Sequence, residues 1–380
     1  MEPKIRFKGF EGEWKALPIT EIASLKAGKS FNKLDAVDTP TVGYYPCYGG
    51  NGQRGYLPYY NQEGKYNIIG RQGALCGCIN VAEGKFYATE HAVIVTPITV
   101  TDFEFLHESL VRANINQYAT GAAQPGISVT NVNSQLSLNY PLYEEQKAIG
   151  KYFTSLDSQI SASTSRLASL KQMKAASLQA MFPQEGETVP KVRFKGFEGE
   201  WKKVKLGDIF SERIENDING EMLSVTINNG IIKAAENGRF DNSNSDKSKY
   251  KVVKVGDITY NSMRMWQGAS GCSQYEGIVS PAYTVVVPNA NIHSQFFAYH
   301  FKTIPMINLF RLHSQGLTKD TWNLKYPAFS IIEVSYPEPL AEQQAIANYF
   351  TTLDHQITLQ TQRLEKLKQI KSACLEKMFV

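Results

Sequence analysis

The chain contains itself twice. Lys4-Ile-Arg-Phe-Lys-Gly-Phe-Glu-Gly-Glu-Trp14 returns as Lys191-Val-Arg-Phe-Lys-Gly-Phe-Glu-Gly-Glu-Trp201, with one Ile/Val exchange, and a weaker likeness runs on to Ser24 and Ser211. A second block, Glu145 to Phe182, returns as Glu342 to Phe379 with 22 of 38 positions identical. Tyr140-Pro141 and Tyr336-Pro337 stand just before it in the two copies. Between the matching blocks, Ser24–Tyr140 and Ser211–Tyr336 share little beyond pattern. A repeat on this scale calls for two equivalent structural units. The shared ends do one mechanical job twice. The divergent middles do two different jobs of one kind.

The second shared block reads as helix. From Glu145 to Met181 it has no proline and one glycine, Gly150, and Pro183 follows as a stop. Leu156, Ile160, Leu167, Leu170 and Met181 fall on one 4-3 frame, interrupted by Ser163, Lys174 and Ser177. The copy places Leu353, Ile357, Leu364, Leu367, Cys374 and Met378 on the equivalent frame, with Gln360 and Lys371 as gaps. So narrow a stripe suits a seam between two helices, and two equal halves favour antiparallel pairing about a pseudo-twofold axis. The other reading packs each helix on its own domain. About 37 residues at about 1.5 Å each make a rod of roughly 55 Å.

The middles read as twisted, irregular sheets. Tyr66–Ile69, His91–Val95, Lys251–Lys254 and Ala282–Val287 have strand composition. Glycine-rich turns separate them, at Gly49-Gly50-Asn51-Gly52, Gly70-Arg-Gln-Gly73 and Gln267-Gly268. Short helices are expected at Phe103–Asn116 and Ser294–Phe310. The fold class is therefore α+β, without βαβ alternation. Several expected loops interleave basic, amide and aromatic side chains. They carry Tyr48, Asn51, Gln53, Arg54, Arg71 and Gln72 in the first middle, and Tyr260, Asn261, Arg264, Trp266, Gln267, Lys319, Trp322 and Asn323 in the second. Arginine pairs bidentately with guanine and Asn or Gln with adenine, while polar and aromatic groups contact sugars and phosphates. An Asn-Gly turn or a Trp beside Gly also occurs for purely structural reasons.

Composition bounds the alternatives. With 380 residues, 42% hydrophobic and 20% charged, the chain is long enough for two ordinary globular domains. A net charge of +4 permits nucleic-acid binding without arguing for it. The charged start, Met1 to Phe10, has no secretory apolar run, and no stretch is long enough to cross a bilayer. Cys47, Cys76, Cys78, Cys272 and Cys374 form no disulfide framework, so a cytoplasmic chain with reduced thiols and no membrane contact is expected. Cys76-x-Cys78 lacks a second pair to complete a zinc site and reads as buried strand cysteines. The sequence carries no phosphate loop, no dinucleotide fingerprint, no amino-methyltransferase tetrapeptide, no H-E-x-x-H and no G-x-S-x-G. No catalytic residue, metal site or cofactor of its own is expected.

Taken together, these features resemble the specificity subunits of type I restriction-modification systems. The resemblance is carried by Arg6-Phe7-x-x-Phe10-x-x-x-Trp14 and its copy at Arg193–Trp201, by both Tyr-Pro pairs, and by Glu145-Gln146-x-x-Ile149 through Leu156-Asp157-x-x-Ile160. Glu342-Gln343-x-x-Ile346 through Leu353-Asp354-x-x-Ile357 repeats the last of these. Tyr48–Tyr56, Gly70–Gly73 and Gly256–Met265 look like parts of that family's target recognition domains.

The resemblance implies two target recognition domains separated by two long helices that form an antiparallel coiled coil. On that division residues 1–140 are the first domain and 141–183 the first helix. Residues 184–336 are a linker and the second domain, and 337–380 the second helix. Each domain would read half of a split double-stranded DNA site. Because the middles differ in sequence and length, that site would be asymmetric. The helices would fix the unread spacer and dock two methylation subunits, with restriction subunits joining for cleavage. S-adenosylmethionine, ATP and Mg2+ would serve those partners, in adenine methylation and ATP-dependent cutting. A rod of ~55 Å spans about 16 base pairs at roughly 3.4 Å each. The alternatives are a coiled-coil adaptor that never contacts DNA and an enzyme in its own right.

Overall fold

The protein is described from a computed structural model that covers residues 2–73, 75–121, 125–237 and 246–380. The chain folds as two units that do not follow the order of the sequence. The first comprises residues 1–164 and 362–380, and the second residues 165–361. Two long helices, Tyr143–Ala180 and Leu340–Met378, run uninterrupted through the boundary between them. Each unit therefore holds one divergent middle, the start of the helix that follows it and the end of the other helix.

The first unit is built on a six-stranded sheet. Its strands, in spatial order, are Ala23–Ala27, Ala92–Pro97, Gln62–Gly70, Ile79–Ala88, Tyr45–Gly49 and Gly52–Leu57. All neighbours are antiparallel except Tyr45–Gly49 beside Ile79–Ala88. Strand side chains alternate between faces, and both faces are buried. Ile69, Val93 and Val95 join one core with Leu106 and Leu110. Ile68, Ile94 and Phe86 form another. The expected strands at 66–69 and 91–95 lie in the middle of this sheet. Asp102 caps the helix Phe103–Arg112 by accepting from the Phe105 amide at 2.9 Å. That helix stops short of the expected Asn116, because Asn114 takes a left-handed backbone and starts a 3-10 turn.

The second unit has a four-stranded antiparallel sheet, in the order Phe210–Glu212, Tyr283–Pro288, Ile258–Asn261, Ser270–Cys272, with smaller two-stranded sheets around it. Its core is dominated by aromatic rings, among them Phe182, Trp201, Phe210, Phe296, Phe297, Phe301, Phe310 and Phe350. The single helix expected at 294–310 is two, Ser294–His300 and Ile304–His313. Pro305 sits in the first turn of the second helix, where its missing N–H is harmless. Within a continuous helix it would remove a hydrogen bond and clash with the preceding turn.

The shared blocks make the same contacts in each unit. Arg6 forms a two-point ion pair with Glu145, at 2.7 and 2.8 Å, and gives a further hydrogen bond to the Gly12 carbonyl. Arg193 does the same with Glu342, at 2.7 and 2.8 Å, and with Gly199. Glu145 and Glu342 are buried. The Gln146 and Gln343 side chains donate to the Pro141 and Pro337 carbonyls and accept from the amides of Asp102 and His293. Each shared peptide is thus a latch closed on the first turn of the following long helix. It also touches the last turn of the other helix. The Ile5 amide donates to the Lys377 carbonyl in the first unit, and the Val192 amide to the Ala180 carbonyl in the second.

The helix seam also repeats. In the first unit Lys371 pairs with Asp157 at 2.7 Å and Tyr152 meets Cys374 at 3.5 Å. In the second Lys174 pairs with Asp354 at 2.5 Å and Tyr349 meets Ser177 at 2.8 Å. Partner numbers rise on one helix as they fall on the other, so the helices run antiparallel in both units. Leu156, Leu170, Met181, Leu353, Leu364, Leu367 and Met378 are buried, and Ile160, Leu167 and Ile357 are half-buried. The lysines that interrupt the apolar frame are seam members, because each finds an aspartate on the facing helix. Both sequence readings of the helices hold in part. Ile149 and Phe153 also enter a core with Trp14 and Phe105, and Ile346 and Phe350 one with Trp201 and Phe296, so each helix packs on its own domain through its first turns.

Removing one member of a buried ion pair leaves an uncompensated charge, at a typical cost of about 3–5 kcal/mol. Arg193→Ala is expected to destabilise the second unit on this scale in urea unfolding, and the double change Arg193→Met with Glu342→Leu to cost less. A double variant as unstable as the single one would contradict the assignment. His300 is buried, with its ring stacked on Phe182 at 4.8 Å. Burial pushes its imidazole down to about 3 from an ordinary 6.5. Below the ordinary value the unfolded chain takes up a proton that the folded chain refuses, so stability falls as pH drops from 6.5 towards 3. In His300→Gln the urea midpoint of this unit should change less between about pH 7 and 5.5 than in the parent. Parallel pH slopes would show that His300 does not contribute.

Candidate nucleic-acid interface

In the first unit the candidate residues gather around two glycine turns in contact. Strands Tyr45–Gly49 and Gly52–Leu57 form a hairpin whose tip is Gly50-Asn51. Asn51, Gln53 and Arg54 are exposed on it, and the Arg54 guanidinium lies 5.4 Å from the Phe31 ring centre. The Gly70–Gly73 turn presses directly against this tip. A β-carbon on Gly70 would lie 1.9 Å from the Gly50 carbonyl oxygen, and one on Gly50 would lie 2.6 Å from that of Gln72. No side chain fits at either position, so the glycines are required by close approach of backbone to backbone. The Cys78 thiol donates to the same Gly50 carbonyl, and Cys76 is buried. Both cysteines lie in the turn before the strand Ile79–Ala88, not within a strand as expected.

Two first-unit residues serve differently from the rest. Arg71 is half-buried and points its guanidinium at the Ile127 and Glu90 carbonyls, both at 3.4 Å. It braces the turn that exposes Gln72. Tyr48 is half-buried with its ring edge-on to Phe86 at 5.6 Å, and burial raises its phenol above the usual range.

The second unit brings two loops into one cluster. Trp266 and Trp322 meet edge to face at 5.3 Å. The Leu324 amide donates to the Ser262 carbonyl at 2.8 Å, tying the loop 315–323 to the loop 261–268. Gln315 and Asn323 close the former by mutual backbone hydrogen bonds. Arg264 is exposed and donates to the Gln267 side chain at 3.2 Å. Lys319 is exposed, and Asn261, Trp266, Gln267, Trp322 and Asn323 are half-buried. The Asn261 side chain caps its own turn by accepting from the Met263 amide. The Asn323 carboxamide oxygen is buried without a hydrogen-bond partner. Beside the cluster Ser262, Met263, Asn323, Lys325 and Tyr326 help to line a cavity of about 390 Å³.

Tyr260 must be withdrawn from the interface. It is fully buried, stacked on Phe329 at 5.2 Å, and burial raises its phenol far above the usual range. Strand alternation explains the error, since its neighbour in the sequence Asn261 is the residue facing outward. One residue went unnoticed in the sequence. Lys302, in the break between the two short helices, donates to the Gly268 and Ile227 carbonyls. Its only sequence signal is a lysine inside an otherwise apolar run. Among the described residues no group of His, Cys, Asp and Glu is placed to hold a metal, and no helix is long and apolar enough to cross a membrane.

Two dissimilar loop-bearing domains, each latched in the same way to the same pair of helices, define a duplicated scaffold protein. The sequence profile of the type I restriction modification DNA specificity domain matches residues 11–172 and again 198–369, and the chain belongs to that family. It is 38% identical over 154 residues to the EcoprrI type I restriction enzyme specificity subunit of Escherichia coli, covering 40% of this chain and 38% of that protein. It is 28% identical over 195 residues to the HindI specificity subunit of Haemophilus influenzae, covering 48% of this chain and 41% of that one. The matched segments thus span about two fifths of these relatives. The fold resembles the crystal structure of a type I restriction-modification S subunit from M. genitalium, with a TM-score of 0.68 at 16% identity over 100% of this chain and 99% of that one.

Proposed function

We propose that this chain is the DNA-reading specificity subunit of a type I restriction-modification complex. On this reading the divergent regions, within residues 1–140 and 184–336, each recognise one half of a bipartite, asymmetric DNA site. One observation carries the proposal. The repeat-related latch peptides are near-identical and the seams keep 22 of 38 positions, while the surfaces they support present unlike sets of arginine, amide and aromatic groups. A scaffold duplicated to this precision under two different loop clusters suits a protein that reads two different sequences from one frame.

The chemistry of those clusters fits base readout. Arg54 is exposed on a hairpin strand and Arg264 on a braced turn, so a guanidinium fork can meet a guanine edge with little further ordering. Asn51, Gln53 and Gln72 offer amides of the kind that pair with adenine. The long helices set the spacer and offer docking surface to two methylation subunits. Methyl transfer from S-adenosylmethionine and ATP- and Mg2+-dependent cleavage belong to the methylation and restriction subunits, and this chain supplies recognition without catalysis. The family's place in restriction systems supports a cytoplasmic setting.

The proposal is tested by exchanging residues 15–140 for the equivalent region of another family member, keeping Trp14 and Pro141 as joints. One half-site of the modified sequence should change and the other stay. Both changing, or neither, would defeat modular reading. Within the parent, Arg54→Ala and Arg264→Ala should each weaken binding to a different half-site by about 1–3 kcal/mol, the usual worth of a bidentate base contact. Equal losses on duplexes scrambled at either half-site would assign both arginines to the phosphate backbone.

A further inference from the structure

A half-buried lysine lies beneath the second loop cluster, and among the described residues it makes no ion pair with a carboxylate. Lys302 occupies the two-helix break that Pro305 enforces, between Ser294–His300 and Ile304–His313. Its ammonium donates to the carbonyl of Gly268, which ends the Arg264–Gln267 turn, and to that of Ile227 at 3.0 Å. Ile227 stands in the turn joining strands Leu223–Thr226 and Gly230–Lys233. Gly268 has a left-handed backbone, φ +81°, and a β-carbon there would stand 3.1 Å from Ile307 and 3.6 Å from the Lys302 stem. One side chain thus fastens two turns from beneath, and one of them carries Arg264, Trp266 and Gln267.

A half-buried ammonium gives up hydration that hydrogen bonds must replace. Carbonyl oxygens are weaker partners for it than a carboxylate, and among the described residues the charge acting on it is another cation, Lys174 on the first long helix. Lys174 is itself paired with Asp354 and lies over the Tyr299 ring. Burial and that cation push Lys302 down to about 8. A hydrophobic residue of similar length would fill the same space without this penalty. A lysine here is explained by what it holds.

We infer that Lys302 is a positioning residue for the second half-site: its two carbonyl contacts hold the Arg264–Gly268 turn in the conformation that meets the bases. This rests on the reading of that turn as a DNA-contacting element. Lys302 touches no DNA itself. Losing it should cost sequence discrimination at one half-site and leave the general attraction of the chain for DNA in place.

The test uses the full chain assembled with its methylation subunits, and duplexes carrying both half-sites intact or with one scrambled. Lys302→Met is expected to reduce discrimination at the second half-site at least tenfold, leaving the first half-site and scrambled duplex within about twofold. Lys302→Arg, which keeps the donors, should recover most of the loss. In the parent, second-half-site discrimination should fall between pH 7 and 9 while the first is steady, and Lys302→Met should remove that difference. If Arg264→Ala abolishes second-half-site discrimination but Lys302→Met does not change it, the positioning role is wrong and the DNA reading stands. If neither variant affects either half-site, the reading of the turn fails and takes the inference with it. If Lys302→Met does not fold, the Arg variant and the parent pH profile decide. A folded Arg variant that loses second-half-site discrimination, together with a parent profile flat at both half-sites, would overturn the proposal.

Discussion

The bidentate ion pair between a latch arginine and the first-turn glutamate of a long helix is the contact on which the rest of this structure depends. Arg6 and Arg193 each close a shared peptide onto Glu145 or Glu342, and in doing so bury a carboxylate that water would otherwise hold. Planar fork meets planar carboxylate in a geometry that lysine could not supply. The glutamate also stands near the N-terminal end of its helix, where the helix dipole favours negative charge. Once the pair is made, the aromatic residues around it have fixed neighbours. Trp14 lies against Phe105 and Phe379, and Trp201 against Phe182 and Phe296. The latch therefore joins three things in each unit: the domain, the helix that leaves it and the end of the other helix.

The seam uses the same economy. Apolar residues at 4-3 spacing supply burial, and a lysine on one helix meets an aspartate on the other at repeat-related places. A seam built from leucine alone would tolerate sliding by a heptad. A charged pair that must coincide with its partner penalises a slip, since the half-buried lysine would be left unpaired beside apolar neighbours. The divergent domains touch these pairs in their own ways. Glu108 contacts Lys371 at 2.9 Å in the first unit, and Tyr299 donates to Asp354 at 2.9 Å in the second. Burial lifts Glu108 above the usual carboxylate range despite Lys371, which acts against that rise. Variable and constant parts thus meet at a shared ion pair.

Much of this was legible in the residues because it was written twice. The helix frame follows from spacing, the extent of the repeated peptide from its second copy, and the strands at 66–69 and 91–95 from composition. What could not be read depends on partners far apart in the chain. Lys174 and Lys371 look like flaws in an apolar stripe until an aspartate 180 or 214 residues away is placed opposite each. Tyr260 looks like an interface aromatic until its strand neighbours put it on the inward face. Arg71 carries an interface residue's chemistry but spends it on two carbonyls of its own fold. The one signal of Lys302, a lysine in an apolar run, reads as a solvated interruption. The candidate site was thus visible as composition, while the division between residues that face out and residues that hold them is a property of tertiary structure.

The central claim is that one duplicated frame presents two unlike readers. Genome-wide mapping of modified adenines, in a host carrying this chain with the methylation subunits proposed for it, tests it most directly. The account predicts one motif in two short specified parts, unlike each other and separated by a fixed unspecified spacer, lost when this chain is removed. A continuous motif, a palindromic pair of identical half-sites, or modification that persists without the chain would contradict it.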